Sequence, residues 1–99
     1  MIDYTIANEI KKYVDEEQGG YKNWYCGVAS DLHQKLFDEH NVPRLNSWHI
    51  GKNAGNHQDA RDTKNYLLSF EFDGDESGGD RTSIYVYAYK KIKGTTKES

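Results

Sequence analysis

From Ser83 to Lys90 the chain alternates without a break: Ile84, Val86 and Ala88 fall on one side, Tyr85, Tyr87 and Tyr89 on the other. β-Branched and aromatic residues at period two specify a strand. A strand is stable only beside others and under a covering layer. The chain has 99 residues in which to supply both, enough for one domain. Only 35% of those residues are hydrophobic, whereas 13% are aromatic, including eight tyrosines. Because one ring buries ~150–250 Å² and keeps a polar handle, the core is expected to be built largely from rings. Disorder is not expected of so aromatic a chain, despite a mean hydropathy of −0.98.

The remaining elements follow from periodicity. Ile2, Ile6, Ile10 and Val14 recur every four residues and predict an amphipathic helix, capped at Asp3 or Thr5 and stopped at Gly19-Gly20. Trp24 to Ala29 reads as a strand, with Trp24, Cys26 and Val28 on one face and Tyr25, Gly27 and Ala29 on the other. Ser30 then caps a second helix whose inward stripe is Leu32, Leu36, Phe37 and His40. A short strand at 47–50 places Trp48 and Ile50 on one side, and a polar loop follows from Gly51. A third helix runs from an Asn56 cap to about Leu68, with Ala60, Thr63 and Leu67 facing inward. Phe70 to Phe72 suggests a brief strand before the glycine- and aspartate-rich stretch 73–82. The expected fold is a single α+β domain over residues 1–92, ordered helix–strand–helix–strand–helix–strand. Its small sheet, mixed or antiparallel, carries packed helices, and residues 93–99 form a flexible basic tail.

Charge and cysteine content narrow the function classes. Thirteen basic and 16 acidic residues give a net charge of −3, which disfavours a general nucleic-acid binder. No apolar run reaches the ~18–20 residues of a membrane span, so no membrane association is expected. Cys26 stands alone and cannot form an intrachain disulfide, which fits a reducing cytoplasm.

The stretch Trp24-Tyr25-Cys26-Gly27-Val28-Ala29-Ser30-Asp31, followed by Lys35-Leu36 and ending at His40, resembles the second half of the GIY-YIG endonuclease domain. Tyr25, Cys26 and Gly27 match that family's tyrosine–apolar–glycine strand, Asp31 a residue common at the start of its helix, and Lys35 the position of its arginine. The resemblance covers about a sixth of the chain. It implies an α/β core, a divalent metal such as Mg²⁺, a general base made from tyrosine and water, and phosphodiester cleavage using Tyr25 and Lys35. The family's first strand has no counterpart upstream, and the third helix offers Asp59 and Asp62 in place of a glutamate. Lys35 also lacks the planar fork with which arginine grips phosphate. A pairing of the Tyr85–Tyr87–Tyr89 strand beside Tyr25 would supply the missing strand from the other end of the chain.

Two further features carry candidate chemistry. Asp73, Asp75 and Ser77, with Gly78 sixth, match the first half of a calcium loop, and Asp80 offers another oxygen. The twelfth position is Ile84 rather than glutamate, so the alternative to weak Ca²⁺ binding is a solvated acidic connection. Tyr85, Tyr87 and Tyr89 form either a second core layer or an exposed interaction surface; exposed beside Lys90, Lys91 and Lys93, they could also stack bases. The leading reading is a non-catalytic intracellular interaction module, a regulator or inhibitor, that binds another protein or itself and needs no cofactor. A metal-dependent nuclease and a calcium-stabilised domain are the alternatives.

Overall fold

A computed structural model describes residues 1–17, 20–45, 47–74 and 79–97. The first helix, α1 (Tyr4–Glu16), starts where the Asp3 carboxylate accepts the Ile6 amide at 3.1 Å, satisfying an otherwise orphaned donor. Its stripe of Ile6, Ala7, Ile10 and Val14 is buried. A single 3₁₀ turn over Tyr21–Asn23 then feeds β1 (Trp24–Ala29), every residue of which is buried.

The second helix is not an ordinary α-helix. Gln34–Glu39 forms a π-helical segment, its width set by the His40 amide reaching five residues back to the Lys35 carbonyl at 3.0 Å. Asn41, at φ 55°, ends it in the left-handed region that asparagine tolerates. The following strand, β2 (His49–Asn53), runs further than the sequence suggests and takes in Gly51, expected as loop. The reason is steric: a Cβ on Gly51 would lie 2.6 Å from Leu32 Cδ1, so the missing side chain admits the leucine against the strand.

Helix α2 (His57–Leu68) begins at the expected Asn56 cap, whose side chain accepts the Asp59 amide at 2.8 Å. Phe70 and Glu71 lie in a turn rather than a strand, with Glu71 at φ 79°. The strand falls two to three residues later, as β3 (Asp73–Gly74). The terminal strand, β4 (Tyr85–Lys90), alternates as the sequence requires.

These strands make one mixed sheet in the order β2-β4-β1-β3. β4 runs antiparallel to both β1 and β2, while β3 is parallel to β1. Tyr25 lies opposite Tyr89 and Gly27 opposite Tyr87, so the terminal strand does sit beside the strand that carries Tyr25. One face packs Trp24, Cys26, Val28, Val86 and Ala88 against α1 and α2. The other packs Tyr25, Ala29, Tyr87 and Tyr89 under Leu36 and Val42, with Leu32 and Phe37 at its margin. The sheet is thus covered on both sides, as a domain of three layers.

The tail completes the second cover. Residues 93–97, expected to be flexible, follow a turn in which the Thr95 and Thr96 amides donate to the Ile92 carbonyl. The Lys97 amide then donates to the His40 carbonyl at 2.7 Å, and the Asn41 side chain donates to the Thr95 carbonyl at 3.0 Å. Residues 95–97 are held by hydrogen bonds over the tyrosine layer.

Candidate functional site

Tyr25 and Lys35 do not meet in a common site. Tyr25 is 4% exposed, stacked 5.4 Å from Tyr89 and 6.4 Å from Tyr87 between ring centroids, with the His40 imidazole tilted on it at 4.8 Å. Lys35 lies on the outer side of the π-helical segment, with its ammonium 3.3 Å from Glu39. It lines a polar cleft of about 350 Å³ with Asp31, Gln34, Asp80 and Ser83, which Tyr25 does not reach. A lysine among three carboxylates, those of Asp31, Glu39 and Asp80, is poorly placed to receive a phosphate.

The tyrosine layer is interior. Tyr87 and Tyr89 are 1% and 0% exposed, so neither is an interaction surface in this fold; Tyr85 is half-buried beside His33. What holds the layer is His40, itself buried. Its Nε2 is 2.7 Å from the Tyr87 hydroxyl, and its Nδ1 is 2.5 Å from the Lys97 carbonyl and 3.1 Å from the Tyr89 hydroxyl. A carbonyl only accepts, so Nδ1 carries a proton toward Lys97. Tyr89 also donates to that carbonyl at 3.2 Å. His40 was legible as an inward residue; its partners, 47 to 57 residues away, were not.

The calcium-loop residues are drawn into local bonds. Asp73 Oδ2 accepts from Lys91 Nζ at 3.0 Å. Asp80 accepts from the Thr82 amide at 2.8 Å and from the Thr82 hydroxyl, bonds that hold its carboxyl below the usual range. Asp75 and Ser77 lie outside the described residues. Among the described residues no group of three histidine, cysteine or acidic side chains is arranged to hold a metal ion.

Cys26 is fully buried on the helix-covered face. Burial pushes its thiol up to about 12, and nearby Lys64 opposes this only in part, so the thiolate that a nucleophile requires is not formed near neutral pH. Lys64 sits on the inner face of α2 with no exposed surface, which periodicity did not foretell.

Exposed apolar surface is found elsewhere. Leu45 is 81% exposed and Trp48 45% exposed, the latter immediately before β2. Trp48 lies across from Lys90, whose amide donates to the Trp48 carbonyl at 2.9 Å, and the two line an open cleft of about 390 Å³ with Ser47, Lys91, Ile92 and Lys93. Lys91 is neutralised by Asp73, whereas the Lys90 and Lys93 ammoniums meet no carboxylate among the described residues. Arg44 lies nearby in sequence, its guanidinium 4.4 Å from the Phe37 ring centroid. On a chain of net charge −3, this end of the sheet presents an indole and uncompensated cations together.

No helix among the described residues is long and apolar enough to cross a membrane. Comparisons with protein-family models, with curated proteins and with solved structures find no match to this chain.

Proposed function

We propose that this chain is a non-catalytic interaction module that binds another protein through Trp48 and the lysines beside it, with exposed Leu45 three residues upstream in sequence. The observation that carries the reading is a contrast in placement. Tyr25, the tyrosine that would act in catalysis, is walled inside with His40, while the exposed Trp48 stands among uncompensated lysines. Tryptophan anchors bind by desolvating a large amphipathic ring, and neighbouring charge selects the partner and speeds encounter. A surface of this kind suits a partner that is acidic at the point of contact. The core that resembles a GIY-YIG domain then serves as a rigid support for the surface, in a reducing compartment where Cys26 stays a thiol.

A photo-cross-linker in place of Leu45 tests the reading in extract from the native host, with a second probe at exposed Asn65 on α2 as the control. The expected result is a discrete adduct from position 45, absent from position 65, and lost when Lys90 and Lys93 are changed to glutamate. The nuclease alternative is tested with a labelled oligonucleotide and Mg²⁺. Cleavage that disappears in Tyr25→Phe would overturn the non-catalytic reading.

A further inference from the structure

Strand β2 is an edge strand, joined to the sheet on one side only. Its ladder with β4 is fixed by two bonds outside the strand limits, Lys90 amide to Trp48 carbonyl at 2.9 Å and Ala54 amide to Ile84 carbonyl at 2.8 Å. In an antiparallel pair, bonded and non-bonded residues alternate. Trp48, Ile50, Lys52 and Ala54 therefore turn their backbone groups inward to β4, and His49, Gly51 and Asn53 turn theirs outward. The Tyr13 hydroxyl bonds to the backbone of His49 at one end of this edge. The outer amides and carbonyls of Gly51 and Asn53 face no strand among the described residues.

An open edge is a template for another strand, and folded proteins usually blunt it with a charge, a proline or a cover. Here the space that a side chain at the central Gly51 would fill is taken by Leu32 on one face of the sheet, so no side chain of Gly51 stands beside the edge. Lys52, the one cation within the edge, is turned to Glu9 at 2.8 Å. The edge is also continuous with the Trp48 cleft, because the residue that begins the β2–β4 ladder is Trp48 itself. Lys90 and Lys93 lie at that end, whereas the cleft beside Ile50 and Lys52 sets Lys12 among two carboxylates, those of Glu9 and Glu16.

We infer that the partner contributes an extended segment that adds to the sheet along the outer edge of β2, pairing with Gly51 and Asn53. The same segment places an apolar side chain on Trp48 and acidic residues toward Lys90 and Lys93. Main-chain pairing gives such a complex tolerance of sequence, and the cleft at one end fixes its direction. The inference rests on the interaction-module reading and adds the conformation, charge and register of the bound segment.

The test uses the full chain and the peptide Glu-Glu-Phe-Thr-Val-Thr-Val, blocked at both ends, with its Lys-Lys counterpart as control. Amide hydrogen exchange at Gly51 and Asn53 is followed with tryptophan emission. The expected result is binding of the acidic peptide alone, with exchange at both amides slowed at least tenfold. Trp48→Ala and the paired Lys90→Glu, Lys93→Glu change each weaken binding at least tenfold. Asn53→Pro, which removes one outward donor and no inward one, weakens it while leaving the thermal transition in place. Should Asn53→Pro unfold the chain, the exchange data on the unaltered protein decide alone. Peptide binding that perturbs Trp48 but leaves both amides exchanging freely overturns strand addition and spares the module reading. A thymidine octamer that binds these lysines while the acidic peptide does not overturns both. Binding of neither ligand overturns strand addition, and the module reading then stands or falls on the adduct at position 45.

Discussion

The two aromatic regions of this molecule have similar chemistry in sequence and opposite fates in the fold. Tyr25, Tyr87 and Tyr89 are closed in with His40, which meets the hydroxyls of Tyr87 and Tyr89 on β4 and the ring of Tyr25 on neighbouring β1. Trp48, with lysines next to it in space, is left half in water. The difference lies in what reaches over each ring. The π-helical segment and residues 92–97 cover the tyrosines, whereas the tryptophan is left 45% exposed. Aromatic content built the interior on one side of the sheet and left an exposed indole at its end.

The sharpest way to break this comparison is to truncate one ring from each region. Tyr89→Ala empties a fully buried site and is expected to lower unfolding free energy by about 3–5 kcal/mol in urea titration. Trp48→Ala, at an exposed position, is expected to change it by about 0.5 kcal/mol or less. Equal losses at the two sites would mean that Trp48 is part of the core and not available for a partner.

A smaller change probes how tightly the tyrosine layer closes on the sheet. A Cβ at Gly27 would lie 2.5 Å from the Tyr87 hydroxyl, the group that meets His40. Gly27→Ala is expected to displace that ring and to cost about 1–3 kcal/mol, read from the thermal transition. An unchanged transition would show that the layer yields to a methyl group and is not the fixed scaffold described here.

Much of this was legible from residue order. The period-two pattern of 83–90 gave both faces of β4, and that of 24–29 both faces of β1, because a strand's side chains can only alternate. The Asp3 and Asn56 caps followed from local hydrogen-bonding capacity. The parallel β3 could not be seen, since two residues carry no periodicity and its partners are Tyr25 and Cys26, about fifty residues earlier. The π-helical width of 34–39 was equally hidden, as its apolar stripe matches that of an α-helix. Exposure of the candidate site was the least accessible. Whether Trp48 or Tyr89 is covered depends on where residues 92–97 return, and that is set by a bond between His40 and Lys97 across 57 positions.

The helix-covered face offers a pH test through its buried thiol. Cys26 has its thiol raised to about 12 in the folded chain, against a reference value of 9.0. The unfolded state therefore loses this proton first as pH rises, and ∂ΔG/∂pH is negative between those values. The stabilisation is full below pH 9 and declines by at most ~1.4 kcal/mol per pH unit above it. Tyr13 and Tyr21, raised chiefly by burial, act in the same direction at higher pH. Cys26→Ala, measured from pH 8 to 10, is expected to flatten the first part of this decline. A thiol reagent that labels native Cys26 at pH 8 without unfolding would contradict the burial on which the argument depends.

The smallest expected effect separates the lysines that flank Trp48. Lys91 already spends its charge on Asp73 in a surface pair, and such pairs contribute ~0–1 kcal/mol, reduced further by salt. Lys91→Ala should therefore lower stability by well under 1 kcal/mol at low ionic strength and by nothing measurable in molar salt. Lys93 has no such partner among the described residues, so Lys93→Ala should leave stability unchanged at either salt concentration. For an acidic ligand the order reverses: Lys93→Ala should weaken binding more than Lys91→Ala, because only the uncompensated ammonium is free to be neutralised by it. Denaturation and peptide titration on the same two variants at two salt concentrations would show both orders. Finding the same order in both measurements would mean that the cations around Trp48 serve the fold, and the contrast between a closed and an open aromatic region would lose its functional meaning.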